Sequence, residues 1–441
     1  MNRDTIIAHI HDIDAQSLFD YIQKGIFSLE ELMKTGNLDH QKRMLIQRLL
    51  KEENKRDDDA YQNACNQRTI DAYQQYLDRF PAGQHIREAN GAITLLKIII
   101  DEGFKKIRDI LDNPNNYTPL MIKDIVDQGV LSWEALLEHY PLEIINKLKR
   151  YNPVMLQLGE TPEKIDDGYT EVYFWGIPGS GKTCALSAVL SCADRSGRLR
   201  QEEGTGFGYL TDLINIFNDK IGILPNPTPV YDKTQYLPFY LKKDATEKRA
   251  RKIGLVELSG EVFQCFDDVI SKKQFKTLDH QETFTLLEKY LQGTNRKMHF
   301  FFIDYSKNNE LDIDYRRTQA NYLNAASLYF RNRSIFKNTT DAIYLVITKS
   351  DLMPFTSQEQ KNEEAKRFVT EKFSGFVNGL KDICKKYDIN GGVLTVIPFS
   401  LGEVFFQKIC KIDDFSSNKI IDILIERIRP QKEIWTNVLN K

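Results

Sequence analysis

The residues with the clearest chemical potential form a short glycine-rich run in the middle of the chain. The run extends from Gly176 to Thr183 and fits the spacing G-x-x-x-x-G-K-[ST]. Glycines let backbone N–H groups close around phosphate oxygens, and a helix that begins there adds its positive dipole end. Lys182 can then reach the β- and γ-phosphates of a nucleotide, and the Thr183 hydroxyl can bind Mg²⁺. The spacing therefore predicts a loop that binds a nucleotide with Mg²⁺.

The flanking sequence supplies the elements that must position such a loop. Residues 172–175 are an apolar run that predicts a buried strand, and residues 184–190 predict the start of a helix. A strand, the full spacing and a helix together favour a phosphate site over a glycine-rich turn without a ligand. The residues predicted to bind the nucleotide here are Gly176, Pro178, Gly179, Ser180, Gly181, Lys182, Thr183 and Cys184.

A second motif follows another apolar run far downstream. Residues 342–347 predict a buried strand, and it ends in Thr348-Lys349-Ser350-Asp351. The Asp351 carboxylate can accept hydrogen bonds from N1–H and the 2-amino group of guanine, a donor pair that adenine lacks. The aliphatic stem of Lys349 can cover the base.

With the phosphate-binding loop upstream, this segment resembles the guanine-specificity motif of Ras-like (TRAFAC-type) GTPases, which belong to the P-loop class. Thr348 stands where the family commonly has Asn, so we expect one tying hydrogen bond to be lost. The resemblance covers about residues 165–430. It implies a mostly parallel, six-stranded α/β sheet with helices on both faces and the nucleotide at the carboxyl ends of the strands.

The resemblance also assigns roles to the segment after the third predicted strand. Glu257 stands at the place of the family's Asp and would hold the Mg²⁺ shell, and the Gly260 N–H would contact the γ-phosphate. Glu261 stands where Ras-like proteins place the Gln that orients water. Because Glu carries the wrong charge for stabilising the transition state, the resemblance implies slow hydrolysis, accelerated by dimerisation or by an arginine from a partner.

Two further loops complete the site that the resemblance implies. Ser400 and Leu401 correspond to the last base-contacting loop, although the family has Ala where Leu401 stands. A switch threonine would close over Mg²⁺ and the γ-phosphate; Thr228 is the expected residue and Thr234 the alternative. The implied metal ligands are Thr183, Thr228 and Glu257, and the implied catalytic residues are Lys182, Thr228, Gly260 and Glu261.

Other interpretations of the same residues stay open. The run 299–304 is hydrophobic and closes with Asp304, which is typical of a Walker B strand; Asp304 would then lie on the Mg²⁺ shell of an ATPase. Glu257 and Glu261 instead favour a non-hydrolysing GTP-binding scaffold. The same substitutions, together with long insertions, resemble the divergent prokaryotic double-GTPase class of modular signalling systems.

The first third of the chain has a different pattern, of short amphipathic helices with polar turns. Residues 21–32 and 125–136 echo one another: each predicts a helix, a Gly stop, an apolar pair, a Ser N-cap and a new helix. The charge-rich run 51–60 predicts a connector that is a solvated helix face or a hinge. We therefore expect an all-α, repeat-like module over 1–155 that binds a protein effector; the alternative is a helical extension that only supports the rest.

Residues 156–168 contain Pro162 and Gly168 and are the expected linker to an α/β domain over 169–441. The net charge of −2 argues against binding nucleic acid through bulk electrostatics. Neither a membrane-spanning segment nor a signal peptide is indicated, and the six cysteines form no C-x-x-C pair. The sequence therefore predicts a cytoplasmic protein with GTP or GDP and Mg²⁺ as ligands, an unidentified effector, and a homodimer as a further option.

Overall fold

The chain forms two compact units, Met1–Asp112 and Asn113–Lys441, each with its own buried cores. The computed structural model describes residues 3–36, 38–156, 161–226, 234–307, 311, 317–337 and 339–432.

The described part of the first unit is helical. Its helices are α1 (Arg3–Ala8), α2 (Ala15–Gln23), α3 (Leu29–Lys34), α4 (His40–Gln67), α5 (Ile70–Arg79) and α6 (Ile86–Asp112).

The charge-rich run 51–60 lies inside helix α4, and most of its side chains are exposed, as expected for a solvated helix face. Asp57 in this run is buried. Its carboxylate accepts hydrogen bonds from the Tyr76 hydroxyl (2.6 Å) and the Gln84 N–H (2.6 Å). The run therefore ties α4 to α5 and to the turn that follows α5, because a buried carboxylate needs such donors.

The second unit combines helices with two sheets. Its helices are α7 (Pro119–Asp127), α8 (Trp133–His139), α9 (Leu142–Lys149), α10 (Lys182–Arg195), α11 (Phe207–Ile216), α12 (Gly260–Ile270), α13 (Leu278–Gln292), α14 (Gln319–Arg333), α15 (Gln358–Lys372), α16 (Ser374–Tyr387) and α17 (Asp414–Arg427). Its strands are β1 (Thr170–Trp175), β2 (Leu199–Gln201), β3 (Ile221–Ile223), β4 (Gln235–Leu241), β5 (Arg249–Glu257), β6 (Arg296–Asp304), β7 (Thr340–Thr348), β8 (Thr395–Pro398), β9 (Gly402–Phe405), β10 (Ile409–Ile412) and β11 (Gln431–Lys432). Short 3₁₀ turns span Pro114–Asn116, Ser350–Leu352 and Ile389–Gly392.

The large sheet is mostly parallel, as expected. Strands β5, β1, β6, β7 and β8 are parallel neighbours in that order, and β4 and then β2 extend the β5 side in antiparallel fashion. Strand β11 also pairs antiparallel with β5, so the described residues form more than the six strands expected. Strand β1 lies inside the sheet, which places the loop after it at the centre of the carboxyl edge.

The side chains of β1 alternate between two hydrophobic cores. Tyr173 and Trp175 pack into the core formed with α12 and α14, whereas Val172 and Phe174 pack into the core formed with α10, α11 and α17. Helices therefore cover both faces of the sheet, and this arrangement explains why β1 is apolar at successive positions. None of the helices in the described residues is both long and apolar enough to cross a bilayer.

The two echoed segments adopt the same local geometry. Gly25 and Gly129 have φ of 69° and 73°, and Ser28 and Ser132 cap α3 and α8 through their side chains. Their surroundings differ, because the first copy belongs to the first unit and the second copy to the second unit. A local pattern thus fixes the turn but not the packing partner.

Residues 113–156 and 161–168 pack within the second unit, whereas the sequence analysis assigned them to the helical module and the linker. Asn295 holds the segment before β1, because its amide donates to the Asp166 carbonyl (2.9 Å) and accepts from the Gly168 N–H (3.1 Å). Helix α9 packs on β3 and β10, two strands of a small antiparallel sheet in the order β3-β10-β9. The domain scheme of the sequence analysis stays a prediction.

Candidate functional site

The glycine-rich loop, called the P-loop below (Gly176–Thr183), connects β1 to α10. Gly176 has a φ of 152°, and a Cβ there would come within 2.7 Å of the Phe302 carbonyl oxygen on β6. Gly179 and Gly181 have φ of 71° and 86°. These glycines permit a path against β6 that side chains would block, and α10 begins directly after Gly181 with its N–H groups facing the loop.

Lys182 folds back across the P-loop. Its ammonium donates hydrogen bonds to the carbonyl oxygens of Gly176 (2.8 Å) and Ile177 (3.1 Å). Burial lowers the pKa of Lys182 to about 8, and the nearby Glu257 charge acts in the opposite direction. A buried ammonium held by neutral carbonyls is poised to exchange those acceptors for anionic oxygens.

Thr183 meets Glu257 at the end of β5. The Thr183 hydroxyl donates to Glu257 Oε1 at 2.5 Å, and the Tyr209 hydroxyl on α11 donates to Oε2 at 2.6 Å. Burial raises the pKa of Glu257, while the two hydrogen bonds and the Lys182 charge lower it. The sequence analysis predicted that Thr183 and Glu257 act together, and it missed Tyr209, which follows no recognisable motif.

Gly260 lies against the P-loop at the start of α12. A Cβ at Gly260 would come within 2.2 Å of the Pro178 backbone nitrogen, so the two segments touch through their backbones. Glu261 is the next residue, and its carboxylate lies 3.5 Å from His280 Nε2. The structure therefore brings Gly260 to the predicted site and turns the Glu261 side chain towards α13.

Thr348 joins the second motif to the P-loop. Its hydroxyl donates to the Ser180 carbonyl at 3.0 Å and lies 3.3 Å from the Ile303 carbonyl. The threonine hydroxyl therefore reaches the P-loop. The expected loss of one hydrogen bond relative to Asn stays a prediction. Lys349, with a φ of 57°, places its ammonium 2.8 Å from Asp304 Oδ2.

Asp304 closes β6 and is fully buried. The Ser306 N–H (2.9 Å) and hydroxyl (2.7 Å) donate to its other carboxylate oxygen, Oδ1. Asp304 thus holds Lys349 and the loop after β6, whereas Glu257 is the carboxylate bonded to Thr183. This arrangement favours Glu257 over Asp304 as the acidic partner of the P-loop threonine.

The loop after β8 holds the last residue of the second motif. The Ser400 hydroxyl donates to Asp351 Oδ1 at 2.9 Å. The Ser350 N–H donates to the Phe399 carbonyl (3.1 Å), and the Leu401 carbonyl accepts from the Asp413 N–H (2.7 Å). Asp351, Ser400 and Leu401 therefore lie together at the edge where β7 and β8 end, with the Asp351 carboxylate exposed and oriented.

Of the two candidates for the switch threonine, Thr228 and Thr234, only Thr234 belongs to the described residues. Thr228 lies outside the described residues. Thr234 directly precedes β4 and is buried, and its hydroxyl has no hydrogen-bond partner among the described residues. The buried Ser180 hydroxyl in the P-loop also has no hydrogen-bond partner among the described residues. Buried hydroxyls of this kind mark places where a ligand can supply partners.

A cavity of about 210 Å³ opens in front of the P-loop. Its other walls come from the β5–α12 junction, from the segment after β3, and from the turn between β9 and β10. The lining residues outside the P-loop are Cys184, Leu224, Pro225, Asn226, Leu258, Gly260, Gln407 and Lys408. Sequence reasoning missed Gln407 and Lys408, because neither belongs to a recognisable motif.

The residues present fit Mg²⁺ and a nucleotide. Mg²⁺ prefers one or two protein oxygens with phosphate and water completing its shell. Thr183 and Glu257 offer such oxygens beside the loop. The described residues contain no group of three or more His, Cys, Asp or Glu that could hold a metal by themselves. The P-loop supplies N–H groups, a helix N-terminus and an ammonium for the phosphates.

Comparison with known proteins adds little. No protein-family model matches the chain, and no curated protein matches it. Among solved structures, the chain is similar to the signal recognition particle receptor SRb-GTP/SRX complex from Chaetomium thermophilum, with 12% identity over 58% of this chain and 100% of that chain and a TM-score of 0.29. A likeness at this level assigns neither a fold nor a function to the chain.

Proposed function

We propose that the second unit binds GTP and GDP with Mg²⁺, hydrolyses GTP slowly, and regulates a protein partner through its nucleotide state. One observation carries this proposal: the Thr348 hydroxyl donates to the Ser180 carbonyl at 3.0 Å. That bond attaches the segment able to recognise guanine to the loop able to bind phosphates. Two segments that are distant in sequence are thereby held next to each other.

The phosphate end of this site uses the P-loop. Its N–H groups and the α10 N-terminus would bind phosphate oxygens, and Lys182 would turn its ammonium from the loop carbonyls to the β- and γ-phosphates. Thr183 and Glu257 would hold Mg²⁺, Glu257 through a water molecule. Bound Mg²⁺ would neutralise the phosphate charge, which is the main requirement of phosphoryl transfer. Cys184 follows on the first turn of α10 and would contribute its N–H.

The base end uses the exposed Asp351 carboxylate. Its Oδ1 already accepts from Ser400, and each carboxylate oxygen can accept further bonds from guanine N1–H and the 2-amino group. The bond between Lys349 and Asp304 holds the Lys349 stem where it would cover the base. Leu401 would border the base on the side of β8.

For hydrolysis, Gly260 would present its N–H to the γ-phosphate, and Thr228 would close the site as the switch residue. Glu261 would orient water, with the unfavourable charge that makes the reaction slow. A second candidate function is GTP binding without hydrolysis. It is favoured by the proximity of the Glu261 carboxylate to His280, 3.5 Å away, because a side chain engaged there does not orient water.

The partner would bind the helical residues before β1. Support comes from helix α6, on which a set of large apolar side chains is exposed: Leu95, Ile98, Ile99, Ile100 and Phe104. Exposed apolar side chains grouped on one helix are typical of surfaces that bind other proteins. Homodimerisation through such a surface is included in this proposal.

Base choice is the first test. We expect wild-type protein to bind a fluorescent GTP analogue more tightly than the matching ATP analogue. Asp351→Asn should shift preference to xanthine nucleotides, because the amide can donate to the xanthine 2-oxo group. Asp382→Asn, at an exposed position of α16, is the matched control and should keep guanine preference. Equal wild-type affinity for ATP and GTP would contradict the proposal.

Multiple-turnover phosphate release separates the two candidate functions. Slow but continuing release that stops in Lys182→Ala supports a GTPase. Tight GTP binding without any release above the Lys182→Ala background supports the non-hydrolysing alternative.

A further inference from the structure

The turn between β9 and β10 forms one wall of the cavity and has an unusual backbone. Phe406 and Gln407 have φ of 52° and 60°, in the left-handed region that residues with a Cβ seldom adopt. Two consecutive left-handed residues close this β-hairpin, with the Lys408 N–H donating to the Phe405 carbonyl at 3.3 Å. Because neither residue is glycine, the turn is strained and needs support from its surroundings. The turn brings Lys408 to the front of the P-loop, where both line the same cavity.

Contacts from three sides impose this turn. The Asn115 side chain accepts from the Gln407 N–H (3.2 Å) and donates to the Val404 carbonyl (2.9 Å). The Leu224 N–H donates to the Lys408 carbonyl at 2.7 Å. On its outer side, the Tyr140 ring packs edge-on against Phe406, with centroids 5.1 Å apart. The position of Lys408 is therefore set by residues distant in sequence.

The Lys408 ammonium has capacity for an anionic ligand. It donates to the neutral Asn226 Oδ1 at 3.0 Å, and no carboxylate of the described residues lies within ion-pair distance of it. Among the described residues, the ammonium therefore has a neutral acceptor only, at a cavity that the P-loop also lines; an anionic oxygen would be a stronger acceptor.

We propose that Lys408 is a second lysine for the nucleotide phosphates, acting from the wall opposite the P-loop backbone, and that Asn115 is its positioning residue. This inference rests on the proposed function and adds a specific contact to it. Lys182 reaches the phosphates from within the P-loop, whereas Lys408 reaches them from a separate element of the fold. The nucleotide would thereby link the P-loop to the turn that Asn115 holds.

Lys408→Gln tests the contact, with Lys411→Gln as the matched control. Lys411 is exposed on the same hairpin, so its replacement removes the same charge without touching the cavity. With Mg²⁺ present, Lys408→Gln should weaken GTP and GDP binding about tenfold by calorimetry, the size expected for one charge-assisted hydrogen bond. Lys411→Gln should bind as wild type. Equal losses in both variants would overturn the proposal in favour of a general charge effect.

Comparing ligands with and without phosphates shows which part of the nucleotide Lys408 contacts. The loss in Lys408→Gln should be present with GDP and absent with guanosine, measured by competition against a fluorescent GTP analogue. An equal loss with guanosine would overturn the phosphate contact, because it would place Lys408 on the ribose or base.

Asn115 is tested by a double-mutant cycle. Asn115→Ala should weaken GTP binding about threefold, and Asn116→Ala, on the same exposed turn, should not. In the Lys408→Gln background, Asn115→Ala should cost nothing further, because its effect passes through Lys408. Full additivity would overturn the positioning role.

The same variants distinguish a failure of the Lys408 contact from a failure of the proposed function. If wild-type protein binds GTP, Lys182→Ala does not, and Lys408→Gln equals wild type, the inference is overturned while the proposed function stands. If wild-type protein binds no guanine nucleotide, both are overturned.

Discussion

The P-loop and the β9–β10 turn are two walls of the same cavity, and both contain residues with left-handed backbone. The residue types at these positions differ. In the P-loop the left-handed positions are Gly179 and Gly181, whereas at the β9–β10 turn they are Phe406 and Gln407. Glycine adopts this region without steric cost, and residues with a Cβ do not. The P-loop can therefore hold its path from its own sequence, while the turn depends on Asn115 and Leu224 to impose one.

Because the P-loop is held by glycines and the β9–β10 turn is not, only the P-loop can be recognised in the sequence. A path held by glycines leaves a spacing that can be read directly, and that spacing predicted the strand, loop and helix around Lys182. A path imposed by tertiary contacts leaves no local pattern, so nothing in the sequence marked Lys408. The two walls thus differ in how much of their function is encoded locally.

The largest expected effect on GTP affinity is at the P-loop. Lys182→Met keeps the length of the side chain and removes its charge. GTP affinity should fall on the order of a hundredfold or more, because the main cation facing the β- and γ-phosphates is lost. Calorimetry with GTP measures this, and Lys411→Met on an exposed strand position is the control. Unchanged affinity in Lys182→Met would show that the P-loop is not the nucleotide site.

The same variant has a signature in pH-dependent stability. Lys182 has a pKa of about 8 in the folded protein against an ordinary value of 10.5, so between these values the unfolded chain binds more protons. The free energy of unfolding of nucleotide-free wild type should therefore rise by about 1.5 kcal/mol from about pH 8 to about pH 9.5, relative to Lys182→Met. Chemical denaturation measures it. Parallel pH profiles would show that the ammonium is not buried.

Glu257 shows how far the sequence could predict the site and where prediction ended. The resemblance to Ras-like GTPases implied that it would act with Thr183, and the two side chains are hydrogen-bonded in the structure. Its second partner, Tyr209, lies on α11, a helix whose position depends on packing. Asp57 shows the same limit in the first unit: its charged neighbours predicted a solvated helix face or hinge, and only the fold buries Asp57 against Tyr76.

An intermediate effect is expected where the P-loop meets α12. Gly260→Ala places a Cβ within 2.2 Å of the Pro178 nitrogen, and backbone cannot move aside as a side chain would. The variant should lose about 1–3 kcal/mol of unfolding free energy and bind GTP more weakly. Gly91→Ala is the control, because nothing lies within 4 Å of its Cβ and it should gain up to about 1 kcal/mol in α6. Wild-type stability in Gly260→Ala would refute the close approach.

The smallest expected effect is at the β9–β10 turn, where the substitution should raise the free energy of unfolding instead of lowering it. Gln407→Gly replaces a residue with a φ of 60° by one that adopts this conformation freely. The relief of about 1–2 kcal/mol is partly offset by the greater entropy of glycine in the unfolded chain, so stability should rise by about 0.5–1 kcal/mol.

Glu403→Gly, at an exposed and extended position of β9, is the matched control and should lower stability by a similar amount, because there glycine brings only its entropic cost. Thermal and denaturant unfolding of the nucleotide-free protein measure both. If Gln407→Gly destabilises as much as Glu403→Gly, the β9–β10 turn carries no strain. The P-loop and the turn would then not differ in how their left-handed backbone is stabilised.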